Sequence, residues 1–426
     1  MNSFEDLYEA FKKYMACFVV GNIHLINLLF HNFVGIILTK ANIRIATNKM
    51  IAPRVSAFVV QNSGTSKGEA TDALFNLLTH ISMTLNLGLN LNRTTEITNA
   101  GLLGTIEPIH GVSMPITGAL DKDDLILFPE GRKLFIETPH TAGIRNILNM
   151  ALDEPGNVSK NLRLGRVSFE SKSTLIATTF PIKEVNKSVV EEGFFPRLFV
   201  SYKEFGEKEL NEIDRQMQDL RKIDYDVDVK PLMEQITELV NGLLQHLTSN
   251  LPARNDAFCL RFKKDDITKM ESIRIALRQR FFRKQYTDSR KQVLESFYSR
   301  LRLLLDKIAS HHAALEWKKE IDGEDYVYAS EVAMWHCESV LNILDKLKSV
   351  EEDVEKRRTD AVVEIIHNRG GKVLRTEILR ILDRMYIGRN WDLGKSRTKA
   401  LLKKMVDKGL LKFELGPHGS KTYKLS

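Results

Sequence analysis

The sequence predicts an α/β protein with a mostly parallel sheet, followed by a helical region and a small basic module. An apolar run at 54–60 ends in a small-residue turn, and a helix-forming segment follows at 70–81. The continuous apolar run at 125–128 is typical of a strand buried on both faces of a sheet, and 173–179 is predicted to be another buried strand. Because helical spacing such as that of 141–152 separates these runs, the strands are expected to be connected by crossovers and to lie parallel.

The composition is that of an ordinary globular protein. The 426 residues suffice for two or three domains, and 43% of them are hydrophobic and 27% charged. The three cysteines lie far apart without any CxxC or Cys/His cluster. This indicates neither a disulfide framework nor a zinc site, and it fits a reducing compartment. We predict no dedicated metal site.

One apolar stretch raises the question of a membrane segment. Residues 14–39 contain no Asp, Glu, Lys or Arg and are long enough to span a bilayer. Gly21 divides the stretch, and polar side chains interrupt it at Asn22, His24, Asn27, His31 and Asn32. Buried helices are therefore expected, and the start of the chain lacks the basic region of a signal peptide. We predict a soluble, cytoplasmic protein.

Charge and composition divide the chain into four predicted segments. They are a P-loop core at 1–205, a helical lid region at 206–348, a charged linker at 349–358 and a C-terminal domain at 359–426. The last segment holds 15 Lys and Arg against 7 Asp and Glu, whereas the rest of the chain holds 47 against 48. Such a basic module on a near-neutral body indicates a polyanion-binding appendage.

The C-terminal segment predicts a winged helix. Its pattern reads helix, short strand, helix, helix and hairpin, at 360–368, 370–373, 376–385, 395–408, 410–415 and 421–425. The third helix is the candidate DNA-recognition helix, with cations at Lys395, Arg397, Lys399, Lys403 and Lys404. Winged helices generally place this helix in the major groove of DNA, although many such domains bind proteins instead.

The turn after the first strand has the pattern of a phosphate-binding loop. Backbone N–H groups, the helix dipole and Lys67 would all face the phosphates of a nucleotide. The candidate nucleotide-binding residues are Asn62, Ser63, Gly64, Thr65, Ser66, Lys67, Gly68 and Glu69. The alternative is a surface turn with a solvated lysine. Ser66 stands where many such loops have glycine, and Gly68 stands where a magnesium-binding Ser or Thr belongs.

Three later positions have the spacing of ATPase residues. Glu130 follows the strand at 125–128 and could polarise an attacking water, or simply cap a helix. Thr179, with Thr178 before it, could sense the γ-phosphate at the tip of a further strand. Arg197 could neutralise developing charge from a neighbouring subunit, or be a core-edge arginine paired with an acid.

The order of these motifs resembles the AAA+ module of the minichromosome maintenance (MCM) helicases. Counterparts of that family's motifs occur at 62–67 (NSGTSK), 98–102 (TNAGL), 117–120 (TGAL), 150–160 (MALDEPGNVSK), 173–181 (STLIATTFP), 195–198 (FPRL), 299–300 (SR) and 307–313 (KIASHHA). The first resembles the family's phosphate loop, and 98–102 and 117–120 resemble two turns before its Walker B strand. The segment 150–160 resembles the start of its pre-sensor hairpin, 173–181 its sensor 1 and 195–198 its arginine finger. The last two, 299–300 and 307–313, resemble its sensor-2 helix. The family's small residue before the lysine accounts for Ser66.

The resemblance implies a function and further site residues. It implies a ring, expected to be a hexamer, that binds ATP and Mg²⁺, engages DNA and other replication proteins, and hydrolyses ATP between subunits. Arg300 would be the sensor-2 arginine, although Arg302 lies on the same helix and either could be a surface charge. The hairpin cations Lys160, Arg163 and Arg166 would face the DNA channel; the alternative is a solvated hairpin. The family's N-terminal oligonucleotide-binding and zinc region is not recognisable, as expected of a trimmed relative carried by a mobile element.

Three departures from the family bear on mechanism. Gly68 replaces the magnesium-binding serine, Pro129 the Walker B aspartate, and Phe180 the sensor-1 asparagine. Two functions besides the motor therefore stay open. One is a weakly hydrolysing or non-hydrolysing winged-helix replication initiator or regulator, and the other is a clamp or loader ATPase.

Overall fold

The chain forms two compact units, Met1–Leu344 and Asp345–Ser426. The computed structural model describes residues 4–95, 98–109, 112–131, 139–154, 156–162, 165–181, 193–254, 257–281, 288–386, 395–416 and 420–425. The predicted boundaries at 205/206, 348/349 and 358/359 remain predictions.

The secondary structure alternates between strands and helices in the first half and is mainly helical in the second. The strands are β1 Ile43–Ala46, β2 Met50–Ile51, β3 Ala57–Gln61, β4 Leu91–Arg93, β5 Gly104–Ile109, β6 Val112–Thr117, β7 Leu125–Phe128, β8 Asn157–Leu162, β9 Gly165–Glu170, β10 Thr174–Thr179, β11 Phe199–Lys203, β12 Ala253–Arg254, β13 Ala257–Phe262, β14 Glu320–Ile321, β15 Lys372–Leu374, β16 Leu411–Leu415 and β17 Lys421–Leu425. The helices are α1 Phe4–Ala16, α2 Ile23–Lys40, α3 Lys67–Thr84, α4 Asn99–Leu103, α5 Ala119–Lys122, α6 Pro139–Leu152, α7 Glu207–Leu220, α8 Lys230–Asn250, α9 Ile267–Phe281, α10 Asp288–Leu315, α11 Gly323–Asn368, α12 Arg375–Tyr386 and α13 Lys395–Asp407.

The central sheet has five parallel strands in the order β11–β3–β10–β7–β4. Every residue of β3, β7 and β10 is buried, as expected of strands covered on both faces of a parallel sheet. The predicted α/β class with a mostly parallel sheet is confirmed. Because the strands are parallel, their carboxyl ends meet along one edge of the sheet, the carboxyl edge, and their amino ends along the opposite amino edge.

A second, smaller sheet was not predicted. Its order is β12–β13–β1–β2, and β14 also pairs with β13. The sequence predicts only helices for 206–348, because strands of two to six residues leave too short a pattern to recognise. Ile43 of β1 pairs with Phe258 of β13, so this sheet joins the start of the chain to the helical region within the first unit.

Two antiparallel hairpins extend from the central sheet. One is β5–β6, between α4 and α5, and the other is β8–β9, the predicted basic hairpin. They lie side by side, since a Cβ atom on Gly165 would come within 2.8 Å of the Ile106 side chain.

Helix α2 is a core helix. Among the described residues it is the one helix with the length and apolar composition to cross a membrane, and 83% of it is buried inside the fold. Its polar side chains are used internally; Asn32 Nδ2, for example, donates to Val55 O at 2.6 Å. Gly35 lets the helix approach residues 53–55, where a Cβ would lie 3.0 Å from Pro53 O. The predicted buried helix is confirmed, and it is consistent with a soluble protein.

The second unit contains the helix–strand–helix–helix–hairpin order predicted from the sequence. Strands β15, β17 and β16 form a three-stranded antiparallel sheet. Its core includes Val362, Ile366, Ile378, Leu402 and Tyr423, which come from the end of α11, α12, α13 and β17.

Candidate functional site

The turn between β3 and α3 has the backbone of an anion-binding loop. Gly64 (φ 75°) and Ser66 (φ 54°) both adopt left-handed conformations, which turn successive N–H groups towards one side. Helix α3 then begins at Lys67 and directs its N-terminal N–H groups to the same place. Left-handed serine is uncommon and strained, and such strain concentrates at functional sites. The Ser66 hydroxyl donates to Met217 Sδ of α7 at 3.1 Å, which helps to hold it.

Lys67 is a half-buried cation held by neutral groups. Its Nζ donates to Asn62 O at 2.8 Å and to Gln61 O at 3.2 Å. It also lies 4.3 Å from the centroid of the Phe180 ring. Burial lowers the pKa of Lys67, and the charge of Glu69 raises it by less. Within the described residues, no carboxylate forms an ion pair with this ammonium, so its natural complement is an anionic ligand.

Hydrogen bonds hold the protein-facing side of the loop, and its other side is exposed to solvent. Asn62 Oδ1 accepts from Phe205 N at 3.0 Å, and the Thr65 hydroxyl donates to Asn62 O at 3.0 Å. Beneath them, the fully buried Gln61 accepts from Asn22 Nδ2 at 2.9 Å. By contrast, the next two residues, Ser63 and Gly64, are exposed. The arrangement fixes the backbone donors while leaving their outer face accessible to phosphates.

The neighbouring strands bring the other predicted residues to the same edge. Thr179 pairs with Val60 across β10 and β3, so Phe180 follows at the level of the loop. On the other side of β10, the Thr178 hydroxyl donates to Pro129 O at 3.0 Å. Glu130 follows and is exposed. The structure thus gathers Lys67, Thr179 and Glu130 at the carboxyl edge.

The residues around Lys67 do not fit a magnesium ion held by this chain. In P-loop nucleotidases a loop Ser or Thr and a Walker B Asp hold the metal, and Mg²⁺ requires such hard oxygen ligands. Gly68 has no side chain, and a Cβ built on it meets nothing within 4 Å, so no neighbour replaces the missing hydroxyl. Pro129 supplies no carboxylate, and Phe180 presents a ring. The site fits the phosphates of a nucleotide but not their usual metal.

Arg197 and Arg300 lie elsewhere, at the amino edge. Arg197 donates from Nε and Nη2 to the two carboxylate oxygens of Asp153, at 2.9 and 2.8 Å. Arg300 Nη1 donates to the same carboxylate at 2.5 Å. Burial favours the neutral form of Asp153, but the hydrogen bonds and charges of the two arginines outweigh it and lower its pKa. Arg197 stands just before β11, whose length separates it from the carboxyl edge by roughly 15 Å, so it does not reach the loop of its own chain.

A fully buried ion cluster adjoins this pair. Lys307 Nζ lies 2.6 Å and Arg54 Nε 3.7 Å from Glu154 Oε1, and all three side chains are less than 10% exposed. Burial opposes the charged form of Glu154, yet Lys307 and Arg54 lower its pKa overall, while burial lowers the pKa of Lys307. Both cations of this cluster form ion pairs with the same carboxylate, which is typical of a structural role.

The structure describes two of the three cations predicted for the β8–β9 hairpin. Lys160 lies on β8, partly exposed, and Arg166 lies on β9, exposed, with its Nε donating to Ser159 Oγ at 2.8 Å. Arg163 lies outside the described residues. The two cations therefore remain accessible to a polyanion.

Helix α13 separates an apolar face from a basic one. It buries Leu402 and Met405 in the core of the second unit, whereas Lys399, Lys403 and Lys404 are exposed. The side chains of Lys395 and Arg397 lie outside the described part of the structure.

Neither a scan against protein-family models nor a search of curated proteins finds a match to this chain. Among the described residues, no group of His, Cys, Asp and Glu side chains has the geometry of a metal site.

Proposed function

We propose that this chain is a divergent MCM-like AAA+ protein that binds ATP at the Lys67 loop and engages DNA. The observation that carries the proposal is the half-buried Lys67 ammonium, which has no carboxylate partner in the described structure and stands at the start of a helix on the carboxyl edge. Ligands bind at this edge of parallel sheets. Strand β10 lies between the loop strand β3 and the Glu130 strand β7, which supports a third, sensing position beside the γ-phosphate.

ATP would be held mainly by backbone groups and one lysine. The N–H groups of 64–68 would donate to the β-phosphate, and Lys67 would turn from the carbonyls of Gln61 and Asn62 towards the β/γ-phosphates. Thr179 would lie next to the γ-phosphate. The phosphates of bound ATP would supply the negative charge that no carboxylate of the described structure supplies to Lys67.

DNA would be bound by two basic surfaces through its phosphates. One is the β8–β9 hairpin with Lys160 and Arg166, and the other is helix α13 with Lys399 and Lys403. The order and antiparallel sheet of the second unit support a winged helix, in which α13 would be the recognition helix.

Assembly into a ring is part of the same proposal. Arg197 would then reach the nucleotide of a neighbouring copy, since it lies too far from its own loop. To do so it would leave Asp153, which accepts two of its hydrogen bonds within the chain. The six-membered ring expected from the resemblance would place one nucleotide at each interface.

Two forms of this function are possible, and the site favours the second. The first is a helicase-type motor that hydrolyses ATP with Glu130 in cis and Arg197 and Arg300 in trans. The second is a DNA-binding replication initiator or regulator that binds ATP and hydrolyses it weakly or not at all. The open space at Gly68 and the proline at 129 favour the second form, because they remove the two protein ligands that usually hold the metal.

An ATPase assay separates the two forms. Turnover is measured with and without duplex and single-stranded DNA for the wild type and for Lys67→Ala. The second form predicts that the wild type binds ATP but turns it over no faster than Lys67→Ala does. A DNA-stimulated rate that Lys67→Ala abolishes would restore the motor form.

A salt titration of DNA affinity tests the basic surfaces. The Lys399→Ala/Lys403→Ala variant should weaken binding and reduce the slope of log K against log salt by about two. Lys222→Ala, at a highly exposed lysine in the turn after α7 that is paired with Asp219, is the matched control and should change neither. An unchanged slope in the double variant would remove α13 as a DNA-binding surface.

A further inference from the structure

We infer that the Lys67 loop binds the phosphates of ATP without help from a divalent cation, so that its affinity for ATP is the same with and without magnesium. The inference rests on the proposed function, since it requires a nucleotide at this loop. It adds that Lys67, the helix N-terminus and the Phe180 ring replace the metal.

The first step concerns the side of the loop where the metal would be bound. A hydroxyl at position 68 is missing, and nothing within 4 Å of that position takes its place. The nearest hydroxyl on the same helix, Thr71, is turned back, with its Oγ1 2.9 Å from Gly68 O. The loop therefore offers phosphate-binding N–H donors but no hydroxyl at the position where the metal ligand normally stands.

The second step concerns the opposite side, at the ends of β7 and β10. Pro129 has no side-chain oxygen, and its carbonyl is already used by the Thr178 hydroxyl at 3.0 Å. Phe180, which is 56% exposed, presents an aromatic ring towards the loop. Mg²⁺ keeps several waters and needs polar groups to hold them, and a phenyl ring cannot do so.

The third step concerns the charge that remains. An aromatic ring 4.3 Å from an ammonium attracts the cation and fixes its position. Lys67 is thus held at the mouth of the loop by the same ring that disfavours the hydrated metal. Together with the partial positive charge of the α3 N-terminus, it forms a metal-free phosphate site.

Calorimetric titration of the full chain with ATP, in EDTA and in excess magnesium chloride, tests the inference. We expect the two dissociation constants to agree within about twofold. Binding that needs magnesium, with a difference of about tenfold or more, would overturn the inference but leave the proposed function. If ATP does not bind in either buffer, the proposed function is overturned as well.

A gain-of-metal variant provides the second test. Gly68→Ser/Pro129→Asp restores the two oxygen ligands, and its ATP affinity should become about tenfold higher with magnesium than with EDTA. Gly68→Ala adds the same Cβ without the hydroxyl and should remain indifferent to the metal. If Gly68→Ser/Pro129→Asp does not fold, Gly68→Ser alone should show the same change in smaller measure. Metal indifference of a folded Gly68→Ser/Pro129→Asp variant would contradict the inference.

Phe180 is tested in EDTA alone. Phe180→Leu keeps an apolar side chain but removes the ring, so ATP affinity should fall severalfold, whereas Phe180→Tyr should retain it. Equal affinities of Phe180→Leu and the wild type would exclude the ring as a positioning group.

Discussion

The two edges of the central sheet hold similar cations in opposite electrostatic settings. At the amino edge, Lys307 and Arg54 share Glu154, and Arg197 and Arg300 share Asp153. At the carboxyl edge, Lys67 has two carbonyls and a ring, and no acid among the described residues forms an ion pair with it.

The difference separates structural from ligand-binding cations. A buried cation with its own carboxylate is neutralised within the fold, and removing either partner destabilises the protein. A desolvated cation without one is less stable as it stands and gains most from an external anion. Substitutions at the amino edge should therefore affect folding, and those at the carboxyl edge should affect binding.

The largest effect is expected from Glu154→Gln. This near-isosteric change leaves Lys307 and Arg54 buried without an anion, and it should lower the free energy of unfolding by about 3–5 kcal/mol. Urea denaturation at neutral pH measures it. Lys67→Ala is the control from the other edge and should change stability by less than about 0.5 kcal/mol. Equal losses in the two variants would remove the distinction between the edges.

A smaller effect is expected on acidification, through a buried histidine pair. His311 Nε2 lies 2.7 Å from Pro53 O and must donate to it, so its Nδ1 accepts from His31 Nδ1 at 3.1 Å. Burial lowers the pKa of His311 to about 4, with Lys307 adding to the effect and the bond to Pro53 opposing it, and burial lowers that of His31 well below its usual value. The folded-state values lie below the unfolded ones. The stability is therefore complete above about pH 6.5 and is lost as the pH falls towards 4.

Unfolding at pH 7 and pH 5 measures this loss. His311 alone should contribute about 2 kcal/mol of it. His311→Gln can donate to Pro53 and accept from His31 but does not titrate, so its stability should change less with pH. The ionisable groups near the pair are His312, Lys307 and Tyr328. Burial raises the pKa of Asp306 to about 6, so this group stabilises the fold as the pH falls, equally in the wild type and in His311→Gln. Parallel pH curves would contradict the assignment.

Arg197→Ala should have a moderate effect on stability and none on ATP affinity of the isolated chain. It removes two charge-assisted hydrogen bonds to Asp153 from a side chain that is 13% exposed, which is worth about 1.5–3 kcal/mol. Arg300→Ala, at a side chain that is 35% exposed, should cost less. Thermal unfolding and ATP titration of both variants check this. A loss of ATP binding without a loss of stability would place Arg197 at the nucleotide instead.

The smallest effect is expected from Gly68→Ala. A Cβ at this position meets no neighbour within 4 Å, and alanine reduces the freedom of the unfolded chain, so stability should rise by about 0.5 kcal/mol. Denaturant titration of the variant beside the wild type measures the change. A decrease would show that the first turn of α3 is more crowded than the structure indicates.

Features encoded by neighbouring residues could be predicted from the sequence. The loop at 62–69 and the buried strands β7 and β10 depend on apolar runs and turn residues that lie together in the chain. The same local signals predict a nucleotide site at Lys67, which remains a proposal. The substitutions at Gly68 and Pro129 were also visible, because each is a departure at a known place in a motif.

Features that join distant residues could not be predicted in this way. The pairing of Ile43 with Phe258 and the contacts of Asp153 with Arg197 and Arg300 link positions 44 to 215 residues apart. Asp153 itself stands in a turn without any motif, so no local signal marks it as a partner of two arginines. The alternative considered for Arg197, a core-edge arginine paired with an acid, describes the contact seen within the chain. The exchange of that contact for a neighbour's nucleotide remains a proposal.

Hydrogen–deuterium exchange with and without ATP tests the central claim most directly, because it reports both edges at once. The account predicts slower exchange at the amides of residues 64–68 when ATP is added, and no change at residues 151–154 on the amino edge. Lys67→Ala should abolish the protection. Protection at the amino edge, or none at either edge, would contradict the claim that the loop at the carboxyl edge is the nucleotide site.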